Sequence, residues 1–206
     1  MRRNYRDHSP SMQLILNSIF TIRIDLKAYE VRSNEKMEML RQLPYEHEGQ
    51  TLVSARTKRG TERLAKELVR DGFTAAMIHG DRSQSQRNNA LKSFQEGRYR
   101  VLVATAMAAR GLHIDEVAHL INYDLPKLAE DFFHRVGRTG RAGSQGRAST
   151  IVTAAENLGL RNIERTLTLQ MERGQPDVSN TTSAERFVQN TLASRTLTAL
   201  PGEVFV

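Results

Sequence analysis

Five short apolar runs punctuate this chain: TLVSA (51–55), TAAMI (74–78), RVLVAT (100–105), VAHLINY (117–123) and ASTIVT (148–153). They constrain the fold more than any other feature. The runs are nearly continuous in apolar residues and do not alternate, which marks strands of a parallel sheet covered on both faces. Parallel neighbours need long crossovers, and helix-patterned stretches lie between the runs to supply them. The sequence therefore predicts a three-layer α/β domain with a mostly parallel central sheet. A further strand, AYEV (28–31), is expected at the sheet edge, ahead of a helix over 35–43.

Local signals set the helix boundaries. Thr57 is a candidate N-cap for a helix with Leu64, Ala65, Leu68 and Val69 on its inner face, ended by Asp71-Gly72. Ser83 and Gln86 read as a capping box for a helix with Ala90, Leu91 and Phe94 inward, closed by Gly97. Thr153 and Glu156 repeat that pattern before a helix carrying Leu160, Ile163 and Leu167. The expected organisation is an irregular leader over 1–24, a domain over 25–170 and a polar, flexible tail over 171–206.

Composition narrows the chemistry. No cysteine occurs, so disulfides, a thiol nucleophile and cysteine-bound metal are excluded. No apolar stretch is long enough for a transmembrane helix. The opening residues carry arginines before an apolar run, but Gln13, Asn17 and Ser18 interrupt it, unlike a secretory signal. Lys plus Arg total 30 against 23 acidic residues, a net charge of +7, and only 6 of the 30 are Lys, leaving 24 Arg. Arginine's planar fork suits bidentate contacts to phosphate, so an acidic polymer or a phosphorylated small molecule is the expected partner.

In parallel sheets ligands bind beyond the carboxyl ends of the strands. That singles out four loops: 56–58, 79–83, 105–112 and 124–126. Thr105 with Ala108, Ala109, Arg110 and Gly111 offers small side chains and a guanidinium, fit either for a phosphate or for a tight strand-to-helix turn. The stretch HRVGRTGRAGSQGR (134–147) sets His134, Arg135, Arg138, Arg141 and Arg147 among four glycines. One helical turn there would align Arg138 with Arg141, and two adjacent cations call for an anion between them. HGDRSQSQR (79–87) brings His79, Asp81, Gln84 and Arg87 near a helix N-terminus, although His79 and Asp81 also suit purely structural roles. No histidine spacing fits zinc, and no GxxxxGK[ST] phosphate loop or paired acidic strand end occurs.

The motifs HGD with QxxR at 79–87, VLVAT…AARGL at 101–112, INYDLP at 121–126 and HRVGRTGR at 134–141 occur together and in this order. Over residues 25–170 the chain resembles the C-terminal RecA-like domain of the DEAD-box ATP-dependent RNA helicases. The resemblance implies that Arg141 is an arginine finger toward the γ-phosphate of ATP, that Arg138 stands beside it, and that His134 couples nucleotide to RNA. It implies RNA-backbone contacts from Gly80, Gln84, Arg87 and Thr105, with Arg56 a further candidate. Gly111 and His113 would lie near the nucleotide. His113 replaces the family's usual acidic residue at the ATP ribose, and Ala106 removes a polar link on the RNA side.

The first RecA-like domain, which in the family holds ATP and Mg2+, has no counterpart in the sequence. The expectation is half a helicase, inactive as an ATPase without that domain in cis or in trans, with RNA as partner, no directly bound metal, no membrane and a cytoplasmic location. The alternatives are a stand-alone RNA- or nucleic-acid-binding module without turnover and, more weakly, a scaffold that recruits another protein.

Overall fold

The computed structural model describes residues 24–46, 48–110, 114, 117–140 and 145–175. Seven strands form one sheet: β1 (Ile24–Glu30), β2 (Thr51–Ala55), β3 (Ala75–Ile78), β4 (Val101–Thr105), β5 (His119–Asn122), β6 (Gly146–Val152) and β7 (Glu172–Gly174). Their order is β3-β4-β2-β5-β6-β1-β7, and every pairing is parallel. The helices are α1 (Lys36–Gln42), α2 (Lys58–Arg70), α3 (Gln84–Gln95), α4 (Ala106–Arg110), α5 (Ala129–Val136) and α6 (Asn157–Leu167).

Side chains alternate along each strand between two cores, as the pleat requires. Leu52, Leu102, Ala104, Leu120 and Ala148 join a core with Phe94 of α3, Phe132 of α5 and Ile163 of α6. Val53, Val103, Ile121 and Ile151 join another with Leu40 of α1 and Leu64 and Leu68 of α2. Both faces of the sheet are thus covered, and the three-layer α/β expectation holds.

The helix boundaries follow the local chemistry. The Thr57 hydroxyl accepts the Gly60 amide at 3.0 Å and opens α2. The Ser83–Gln86 capping box is complete, with bonds of 3.2 and 3.0 Å. The Thr153–Glu156 box also forms, but it opens a 3-10 turn, Ala154–Glu156, that leads into α6. Gly72 and Gly97 take left-handed backbone (φ +86° and +76°) after α2 and α3.

Four expectations need correction. Val69 is 42% exposed, and Thr61 takes the inward place on α2, at the i, i+3, i+4 and i+7 spacing with Leu64, Ala65 and Leu68. AYEV is no sheet edge, because β7 pairs with β1 through Lys27–Glu172, Ala28–Arg173 and Tyr29–Gly174. That strand forms from residues expected in the flexible tail. Met171 is buried, its amide is held by Glu164 at 2.9 Å, and Arg173 is doubly bonded to the same carboxylate, so the chain is drawn back onto the sheet.

The fourth correction concerns the arginine-glycine stretch. Helix α5 ends at Val136, capped by Gly137, and 138–140 are not helical; Arg141 lies outside the described residues. In the turn after α5 Thr139 donates to the Val117 carbonyl at 2.6 Å. The glycines serve packing: a Cβ on Gly146 would strike the Gly140 backbone, and Gly140 itself has φ +73°.

Candidate nucleic-acid interface

The sheet order places the carboxyl ends of β2, β3 and β4 side by side. Above them lies a cleft of about 650 Å³ lined by Arg56, Thr57, Lys58, Arg59, Gly80, Arg87, Thr105, Met107 and Ala108. Four of the five residues expected along an RNA backbone, Arg56, Gly80, Arg87 and Thr105, meet here from segments far apart in the chain. Gln84 does not line the cleft. It stands behind Arg87, accepting from Nη1 at 3.2 Å.

Lys58 and Arg59 were not among the predicted contact residues. The signal for them was their place directly after Arg56 at the N-terminus of α2, which turns them toward the strand ends. Lys58 is hydrogen-bonded to Asp81. That bond is the main reason the Asp81 carboxyl titrates below the usual carboxylate range. The absence of a side chain at Gly80 lets the Lys58 stem lie across it, with Cε 3.4 Å from where a Cβ would be. The Arg87 Nε is buried without a hydrogen-bond partner, an arrangement that a ligand anion would relieve. His79 is 1% exposed, its Nε2 3.3 Å from Glu62 but out of hydrogen-bond geometry, so it belongs to the core and not to the cleft wall.

Segment 104–109 divides this cleft from a second recess. Thr105, Met107 and Ala108 face the cleft, while Ala104, Ala106 and Ala109 line a crevice of about 20 Å³ with Ser54, His134, Arg135 and Arg138. Such a volume holds about one water molecule. The strand's alternation explains the division at 104–106. His134 and Arg138 are therefore brought together, although not by a shared helix. His134 Nε2 lies 3.5 Å from Glu130. Arg135 serves the fold instead. Its Nη1 donates to Asn122 Oδ1 at 3.2 Å and to the Asp124 carbonyl at 3.0 Å, tying α5 to the loop after β5. The crevice offers cations and small side chains, which fit an anionic oxygen, and no carboxylate for a cation.

Arg141, Gly111 and His113 lie outside the described residues, as does the side chain of Arg110. Among the described residues no group of three or more His, Asp or Glu side chains is placed to hold a metal ion, and no helix is long and apolar enough to cross a membrane.

An all-parallel sheet covered by helices on both faces, with a basic cleft at its strand carboxyl ends, fits a RecA-like domain. A family model, the helicase conserved C-terminal domain, matches residues 35–143. The DEAD-box ATP-dependent RNA helicase CshA of Geobacillus kaustophilus is 45% identical over 148 residues, 71% of this chain and 32% of that protein. Among solved structures, the E. coli DEAD-box protein SrmB, bound to the regulator of ribonuclease activity A, superposes with a TM-score of 0.72 at 33% identity, covering 75% of this chain and 92% of that one. S. cerevisiae Dbp5 bound to RNA and ADP BeF3 gives 0.70 at 29% identity, covering 82% and 46%. The chain belongs to the DEAD-box ATP-dependent RNA helicase family, as its C-terminal RecA-like domain. It spans about a third of the length of the CshA relative it matches.

Proposed function

We propose that this domain supplies one half of an ATP-dependent RNA helicase: part of the RNA-backbone surface and the arginine finger. The observation that carries the reading is the gathering of Arg56, Lys58, Arg59 and Arg87 around one cleft, with Gly80 and Thr105 leaving room for close approach. Guanidinium, ammonium and backbone groups of this kind contact phosphate and 2′-hydroxyl, giving affinity with little sequence preference. The RNA-bound state of the related Dbp5 supports that choice of ligand.

ATP with Mg2+, held mainly by a first RecA-like domain in cis or in trans, supplies the phosphoryl group when bound. On this chain Arg138 and Arg141 would neutralise negative charge on the phosphate oxygens, an effect worth roughly 10³ to 10⁵ in rate for such fingers. Gly111 and His113 would approach the nucleotide. A neutral His113 imidazole can exchange a hydrogen bond with a ribose hydroxyl in place of an acidic side chain. His134 would link the two recesses, standing across the 104–109 wall from the RNA cleft. Cytoplasmic location and the requirement for a first domain belong to the same reading.

The test is equilibrium binding of single-stranded RNA to the whole chain at low and high salt, about 50 and 300 mM. Affinity falls steeply with salt and drops on Arg87→Ala; binding insensitive to both overturns the reading. Mixing in a DEAD-box first domain should yield RNA-stimulated ATPase that disappears with Arg141→Ala. ATPase by this chain alone, abolished by that substitution, overturns the half-helicase reading.

A further inference from the structure

We infer that Glu156 is the positioning residue that aims Arg56 at the basic cleft, with buried Lys36 locking Glu156 in place; the inference rests on the RNA reading of that cleft. Arg56 follows β2 immediately. Its amide donates to Asp124 Oδ2 at 2.7 Å, and its Nη2 lies 3.4 Å from the Leu125 carbonyl and 3.6 Å from Glu156 Oε1. Both side-chain anchors thus take one end of the guanidinium. No hydrogen bond or ion pair among the described residues uses its Nη1 or Nε.

The two oxygens of Glu156 divide the work. Oε2 accepts from the Thr153 amide (3.0 Å), the Thr153 hydroxyl (3.1 Å) and Lys36 Nζ (3.2 Å). Oε1 is the atom that faces Arg56. Lys36 is 7% exposed and also sits over the Tyr123 ring at 5.3 Å, so its ammonium cannot follow another partner into solvent.

A capping box does not need this charge. The same chain builds its other complete box with Gln86, a neutral side chain, in the corresponding position. The carboxylate at 156 therefore exceeds what the cap requires, and what the charge adds is a bridge between a buried cation on α1 and a cleft arginine after β2. An arginine held before the ligand arrives loses less rotamer freedom on binding.

The experiment measures binding of a fluorescent oligouridine to the full chain by anisotropy, for wild type, Glu156→Gln, Arg56→Ala and the double variant. Glutamine preserves the cap and removes the charge. Glu156→Gln should weaken binding about threefold to tenfold, the scale of ordering one long side chain. It should weaken it no further once Arg56 is alanine, while its effect on thermal midpoint is the same in both backgrounds. If Arg56→Ala leaves binding unchanged, the RNA reading of the cleft at this residue fails and takes the inference with it. If Arg56→Ala weakens binding but Glu156→Gln does not, or acts equally in both backgrounds, only the positioning role is overturned. Should Glu156→Gln unfold because Lys36 is left unpaired, Lys36→Met/Glu156→Gln removes that ammonium and must show the same loss of affinity; wild-type affinity in it overturns the inference.

Discussion

The two recesses flanking segment 104–109 are both rich in cations, yet they use them differently. On the cleft side, Arg87 has one side-chain partner, Gln84, and keeps a buried Nε without an acceptor. On the crevice side, Nη1 of Arg135 is locked to Asn122 and the Asp124 carbonyl, its Nε is buried without an acceptor like that of Arg87, and the space left would take about one water. The same residue type lines an open cleft in one place and is tied to the fold through Nη1 in the other. Acceptors set the difference: the buried Asn122 amide and the Asp124 carbonyl both lie within reach of Arg135 Nη1, whereas α3 gives Arg87 Nη1 one exposed amide, Gln84.

Substitutions on each side should separate these roles. The largest effect is expected at the floor of the arginine-glycine stretch. Gly146→Ala sets a methyl against the Gly140 backbone, and neither backbone can yield without parting the turn from β6. A loss of about 3 kcal/mol, the upper range for overpacking, should appear in urea denaturation. Wild-type stability would mean that the turn is not seated on the strand. Next comes Arg135→Ala, which strips the fully buried Asn122 of its charged donor and should cost about 2 kcal/mol in the same assay.

Arg87→Ala should do the reverse. Its stability cost stays within about 0.5 kcal/mol, as for most surface changes. The slope of log affinity for single-stranded RNA against log salt should shrink by about 0.7, one phosphate contact's worth. A stability loss as large as that of Arg135→Ala would erase the contrast between the recesses.

The smallest effect concerns pH and lies far from both. Hydrogen bonds from Arg173 hold the Glu164 carboxyl below its ordinary value of 4.5, outweighing burial, with the Met171 amide helping. A depressed folded value means stability that is complete above the unfolded value and lost as pH falls below about 4.5 toward the folded one. Glu164→Gln should flatten that part of the stability-pH curve, below about pH 4.5, and β7 should loosen first in hydrogen exchange. An unchanged curve would detach β7 from this carboxylate.

Much of this was legible beforehand, and the exceptions have a common cause. The strands, both capping boxes and the inward residues of α3 and α6 follow from periodicity and short-range bonding. Arg56, Gly80 and Thr105 lie in loops that the strand-end rule singles out, and the family resemblance adds Arg87 and the RNA contacts. The failures involve partners distant in sequence: Val69 yields its place to Thr61 because α2 lies on the sheet at one particular rotation. β7 exists because Glu164 recruits residues beyond the helix. Arg135 turns inward to reach Asn122. Glu156 meets Lys36 across 120 positions.

By itself, then, the sequence determined the α/β class, the sites of helix initiation and the inventory of cationic residues at the strand ends. Those depend on interactions within a few residues, which local sterics and hydrogen bonding settle. The tertiary structure decided which of those residues share a recess. Strand order β3-β4-β2 puts 56–59, Gly80, Arg87, Thr105, Met107 and Ala108 around one cleft, and α5 leaves only a narrow crevice on the other side of the wall. That choice follows from long-range packing of two cores against one sheet, in which each guanidinium answers to whichever acceptors the fold brings within about 3 Å.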